Sequence, residues 1–129
     1  MKSNLLKKLI VLLLMTIVVF KVQAQTSKNS NIEVIQFHSE HRCVTCLEIE
    51  KLTKEVLKET SNIPFKLVNI EDEKNEKLAE SFEATGTALF LFNPKTGKKK
   101  DLTSFAFMNA MGEKAKFKAG LKKEIKNFN

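Results

Sequence analysis

Between Ile32 and Val56 the apolar pattern changes period. Ile32-Glu-Val-Ile-Gln-Phe37 suits a buried strand, whereas Cys46, Ile49, Leu52 or Thr53, and Val56 recur at helical spacing. A strand that feeds an amphipathic helix begins a β-α unit, which restricts the chain to α/β layouts. At this junction stand Cys43 and Cys46, the only cysteines, with Val44 and Thr45 between them. A thiol in the first turn of a helix sees the partial positive charge of unpaired N–H groups. That charge favours thiolate and makes the sulfur both a nucleophile and a good leaving group. Cys46 lies on the inward stripe and Cys43 at the open end, so Cys43 is expected to attack and Cys46 to resolve the mixed disulfide.

The first two dozen residues read as an address. Lys2, Lys7 and Lys8 precede Leu9 to Phe20, an apolar stretch of 12 residues, and Val22-Gln-Ala24 offers the small residues that a signal peptidase favours. A membrane span needs about 20 apolar residues, so the expectation is a signal peptide over 1–24, cleaved after Ala24. An uncleaved membrane anchor is the alternative, kept open by the late Lys21. A lipid-anchored lipoprotein is excluded, because it needs a cysteine at the new N-terminus. Residues 25–31, rich in Ser, Asn and Thr, read as a flexible leader, and 32–129 as one domain. The expected location is periplasmic or otherwise extracytoplasmic. There a thiol pair either becomes a disulfide or is kept reduced by a dedicated electron supply.

Losing residues 1–24 removes four lysines and no acids, so the formal charge falls from +7 to +3. The run Lys98-Lys99-Lys100 beside Asn93-Pro-Lys-Thr-Gly97 fits a solvated hairpin tip. No stripe of interleaved aromatic and basic residues points to nucleic acid, which is excluded as a partner.

Past the first helix, Asn62-Ile-Pro64 is a break and Phe65 to Ile70 a second strand. Glu71-Asp-Glu73 opens a short helix through Phe82, with Leu78, Ala79 and Phe82 on its apolar face. Thr87 to Phe92 is a continuous apolar run, expected to be a third strand buried on both faces. The turn at Asn93 to Gly97 leads into an antiparallel fourth strand around Lys100 to Phe105. From about Met111 a final amphipathic helix carries Ala115, Leu121, Ile125 and Phe128 on one side. The expected order is β-α-β-α-β-β-α: a mixed four-stranded sheet with helices on both faces, its parallel strands joined by right-handed helical crossovers.

With a cysteine pair starting the first helix, this order resembles a minimal thioredoxin fold over Ile32 to Phe128. The runs Phe37-His-Ser-Glu-His-Arg-Cys-Val-Thr-Cys-Leu-Glu-Ile-Glu50, Val68-Asn-Ile-Glu-Asp72 and Leu102-Thr-Ser-Phe-Ala-Phe-Met108 are similar to small exported thioredoxin-like proteins of the ArsF-type nitrophenyl compound nitroreductase subunit family. That resemblance implies a place beside a membrane thiol-reducing permease, with a protein disulfide or small oxidised molecule as acceptor. It also exposes departures. Thioredoxins carry Trp before the first cysteine and Gly-Pro between the two, where this chain has Arg42 and Val44-Thr45. Phe37 stands where they keep a buried acid that shuttles the resolving thiol's proton, so Glu48, His38 or water must serve instead. Thr87 stands where they place a cis-proline opposite the cysteines; a cis bond without proline costs about 3 kcal/mol, so a trans peptide is expected.

His41 and Arg42 set positive charge beside Cys43 and are expected to lower its pKa further. Glu50 and Lys54 form an i,i+4 surface pair. A structural disulfide is disfavoured because so short a loop removes little chain entropy. The reading from a different class is a zinc, copper or arsenic-handling module using His38, His41, Cys43 and Cys46, although structural zinc sites usually join two distant ligand pairs. No Gly-rich phosphate loop or flavin motif occurs, and no cofactor is expected.

Overall fold

Alternation along β1 (Glu33–His38) organises the molecule, because successive side chains enter opposite apolar layers. Val34 belongs to one layer, Ile35 and Phe37 to the other. In the computed structural model, which describes residues 4–5, 7–8, 31–60 and 62–128, three further strands flank it: β2 (Phe65–Asn69), β3 (Ala88–Phe92) and β4 (Lys99–Asp101). Their order is β2-β1-β3-β4. β2 is parallel to β1, β3 antiparallel to β1, and β4 antiparallel to β3.

Helix α1 (Val44–Glu59) covers one face together with α3 (Thr103–Ala110) and α4 (Lys114–Asn127). Ile49, Leu52, Val56, Ala106, Phe117 and Leu121 pack there against Val34, Leu89 and Leu91. Three ion pairs, Glu48–Lys114, Glu55–Lys118 and Glu59–Lys122, run along the α1–α4 seam. The opposite face is covered by α2 (Glu76–Ser81), which follows a 3₁₀ turn at Glu73–Asn75. Its Ala79 and the following Phe82 close over Ile35, Phe37, Val68 and Phe90. Phe82 is the hub of an aromatic cluster, with centroids 5.3 Å from Phe37, 5.1 Å from Phe90 and 5.2 Å from Phe92.

The fold is therefore the expected α/β type, with helices on both faces of a mixed four-stranded sheet. Its strand order and directions are those of a minimal thioredoxin fold. Three details differ from the sequence reading. Only β1-α1-β2 is a parallel crossover. β3 instead returns antiparallel, with β2 ending opposite His38 and β3 beginning opposite Phe37 at the same end of β1, and the 6-residue α2 lying between them. Next, Thr103 to Phe105 is helix and not strand: the Asp101 carboxylate accepts from Thr103 N at 2.7 Å and the Leu102 carbonyl from Ala106 N at 2.8 Å, so the chain coils directly after β4. The order thus gains a helix. Finally, Ala115 is exposed, and the buried stripe of α4 is Phe117, Leu121 and Ile125, continued by Phe128.

The hairpin tip forms as expected, with Asn93 Oδ1 accepting from Lys95 N at 3.0 Å and Gly97 at φ 74°. Its lysines also clamp the fold. Lys98 donates to the Phe128 carbonyl at 2.8 Å, Lys99 lies 4.4 Å above the Phe82 ring, and Lys100 pairs with Glu124. The expected signal peptide (1–24) and leader (25–31) lie outside the described residues, apart from 4–5, 7–8 and Asn31. Among the described residues no helix is long and apolar enough to cross a membrane.

Candidate functional site

Cys43 is the N-cap of α1. Its extended backbone, φ −73° and ψ 162°, turns the side chain back over the open first turn, where Sγ accepts from Cys46 N at 3.3 Å. The sulfur thus occupies the place of the oxygen in an ordinary Ser or Asp cap. Cys46, one turn on, brings its Sγ to 2.8 Å from Cys43 Sγ. Both cysteines are free; Cys43 is exposed, while Cys46 is 3 % exposed. Hydrogen bonds hold the Cys43 thiol below its ordinary value. The Cys46 side chain contributes most and the Cys46 N–H next, with burial opposing and the Thr45 N–H adding a little.

Two polar neighbours complete the surroundings of Cys46. Thr87 Oγ1 lies 2.7 Å from Cys46 Sγ, bridging 41 residues of sequence. Thr87 directly precedes β3, and Ala88 pairs with Phe37 at the end of β1 nearest the cysteines. No cis peptide occurs among the described residues, in line with the trans bond expected at Thr87. On the other side Gln36, fully buried, donates from Nε2 to the Cys46 carbonyl at 2.9 Å. Sequence reasoning missed Gln36. Its signal was a lone amide between the apolar Ile35 and Phe37, at the parity that faces α1.

The remaining candidates point elsewhere. Arg42 pairs with Glu50 at 2.5 Å, and Lys54 holds the same carboxylate. Burial pushes the Glu50 carboxyl up, and Lys54 and Arg42 together outweigh it and keep it below its ordinary value. Neither Arg42 nor the exposed His41 is among the causes that lower Cys43. Glu48 is bound to Lys114 at 2.7 Å, which holds its carboxyl below the ordinary value and fixes it on the α4 side. His38 Nδ1 donates to the Ser39 carbonyl at 2.8 Å. Phe37 points into the aromatic cluster, on the face of β1 away from α1. Among the described residues no three His, Cys, Asp or Glu side chains gather into a group that could hold a metal, so His38, His41, Cys43 and Cys46 do not form the four-ligand set considered above.

A cleft of about 610 Å³, bounded by Phe82, Gly86, Thr87, Lys99 and Thr103, opens beside the buried sulfur's threonine.

Fold and site together define a class: a thioredoxin-like α/β domain with a Cys-x-x-Cys pair at the start of its first helix. No family model and no curated protein matches the chain. Among solved structures it is similar to one described as the structure of a malarial protein, at 22 % identity and a TM-score of 0.43 over 60 % of this chain and 92 % of the other. It is also similar to the solution structure of a thioredoxin from Thermus thermophilus, at 18 % identity and a TM-score of 0.47 over 75 % of this chain and 72 % of the other. The fold assignment rests on the strand order and directions given above.

Proposed function

We propose that this chain is an extracytoplasmic thiol–disulfide oxidoreductase that cycles between dithiol and disulfide at Cys43 and Cys46. The observation that carries the reading is the pairing of an exposed sulfur at a helix N-cap with a buried one 2.8 Å behind it. Hydrogen bonds favour the thiolate of the exposed sulfur, and the buried one is within reach of closing a ring. In the first step Cys43 thiolate attacks an acceptor disulfide; a Cys43–acceptor S–S bond forms, the acceptor's own S–S bond breaks, and one thiolate leaves with the electron pair. In the second step Cys46, having lost its proton to that thiolate or to water, attacks Cys43 Sγ and expels the other half. Two electrons pass from the protein to the acceptor.

The exported setting is supported by Lys2, Lys7 and Lys8 before the apolar stretch Leu9 to Phe20. The likeness to ArsF-type subunits supports a membrane thiol-reducing permease as electron donor, with a protein disulfide or small oxidised molecule as acceptor. Val44-Thr45 between the cysteines does not fix the potential, since pairs of this type span about −270 to −120 mV.

The test is equilibration of residues 25–129 with glutathione buffers, with thiol counting and metal analysis on one sample. A reversible two-electron transition supports the proposal. Stoichiometric zinc or copper, lost on His38→Ala or His41→Ala, would replace it with the metal-binding reading. Cys46→Ala should trap mixed disulfides through Cys43, and equal trapping by Cys43→Ala would overturn the assigned roles.

A further inference from the structure

We infer that Thr87 is a catalytic residue of the second step, its hydroxyl donating to the Cys46 sulfur while that sulfur attacks Cys43. The inference rests on the oxidoreductase reading above. It starts from a difficulty: Cys46 is 3 % exposed, so water solvates its thiolate poorly, and a buried anion with few hydrogen bonds is costly.

Among the described residues Cys46 Sγ has two polar partners, Cys43 Sγ at 2.8 Å and Thr87 Oγ1 at 2.7 Å. When Cys43 is ionised, the single proton of Cys46 goes to its thiolate. The Thr87 contact must then be made by the threonine's own proton, so the hydroxyl donates to Cys46. Once Cys43 is tied up in the mixed disulfide, Cys46 loses the acceptor for its proton and gives it to the departing thiolate or to water. Its sulfur is left negative. Thr87 is then, among the described residues, the one polar partner of that sulfur that still offers it a proton donor.

No other side chain among the described residues is placed to do this. The Gln36 amide donates to the Cys46 carbonyl and not to its sulfur. Glu48 is bound to Lys114, His38 Nδ1 is turned to the Ser39 carbonyl, and Phe37 fills the opposite face. Thr87 can hold its position because Ala88, next in the chain, is paired in the sheet with Phe37.

The experiment mixes reduced protein with one equivalent of 5,5′-dithiobis(2-nitrobenzoic acid). The first thionitrobenzoate released reports attack by Cys43, and the second reports closure by Cys46. Wild type should release both in two phases. Loss of a hydrogen bond to a thiolate lowers its population about tenfold. The less stabilised sulfur is a better nucleophile, so about a three- to fourfold slowing should remain. In Thr87→Val and Thr87→Ala the second phase should slow by that factor relative to the first, and Thr87→Ser should restore it.

An unchanged ratio of phases in Thr87→Val would overturn the assignment. So would a Thr87→Ser variant as slow as Thr87→Val, or slowing in Thr87→Val without slowing in Thr87→Ala. If wild type instead stops at one equivalent, the oxidoreductase reading itself fails, and the role of Thr87 with it.

Discussion

Replacing Phe37 by Asp tests which face of β1 serves the cysteines. The resemblance to thioredoxins implies a buried acid at this position and so a gain in chemistry from the substitution; the structure argues the reverse. Phe37 is 0 % exposed, with its ring centroid 5.3 Å from that of Phe82 and 5.9 Å from that of Phe90, across the sheet from α1. Truncating a buried Phe costs about 3–5 kcal/mol. A carboxylate in the space left would add several kcal/mol, or take up a proton instead. Domains are stable by roughly 5–15 kcal/mol, so Phe37→Asp should be unfolded or nearly so. Phe37→Leu keeps most of the volume and loses the ring contacts, at a cost of about 1–3 kcal/mol. Urea unfolding followed by far-UV circular dichroism is the assay, since the chain has no Trp or Tyr. A Phe37→Asp protein with a near wild-type midpoint and faster release of mixed disulfides would refute the face assignment.

Cys46→Ala removes the largest cause that lowers the Cys43 thiol, so the pH profile of Cys43 alkylation by iodoacetamide should move to higher pH; an unmoved profile would contradict the hydrogen-bond account. Because folding depresses the Cys43 value below 9.0, its contribution to stability is complete above 9.0 and lost as pH falls through the lowered value. The stability of the reduced protein relative to Cys43→Ser should therefore rise with pH across that window in urea titrations. Arg42→Ala should leave the alkylation profile near wild type, because Glu50 already engages the guanidinium. Gly120→Ala would set a Cβ 2.5 Å from the Phe105 ring, which can move only by giving up its stack on Phe117. The helix-propensity gain of about 1 kcal/mol is then outweighed by an overpacking cost of about 1–3 kcal/mol. A lower melting temperature is expected, and a raised one would show that the α3–α4 contact is looser than described.

β1, β3 and α1 were legible because their apolar residues run or repeat at clear periods and are the ones buried, whereas β4, Lys99–Asp101, has no apolar residue to mark its end. Helix α3 was hidden by the size of its side chains. Two of its three large apolar residues, Phe107 and Met108, face outward, and Met108 is 73 % exposed. The positions it buries are Ala106, Asn109 and Ala110. A reading that weights large side chains finds the wrong face. In α4 the stripe that includes Ala115 is off by part of a turn: Phe117, four residues before Leu121, sets the buried face, and Ala115 is exposed.

The site divides along a similar line. The N-cap cysteine and its partner are three residues apart, so a local reading reaches both. Thr87 comes from 41 residues away and depends on which end of β3 it precedes. A parallel β3 would begin beside Glu33, leaving Thr87 about a strand length, roughly 17 Å, from Cys46. The antiparallel strand begins instead opposite Phe37, at the end of β1 where Ile70 also leaves β2 with its N–H on the His38 carbonyl at 2.9 Å. Both the exit from β2 and the entry to β3 thus lie on the cysteine side of the sheet. The connection between them, α2 included, leaves and returns at this one end, and that return is what sets the Thr87 hydroxyl against the buried sulfur.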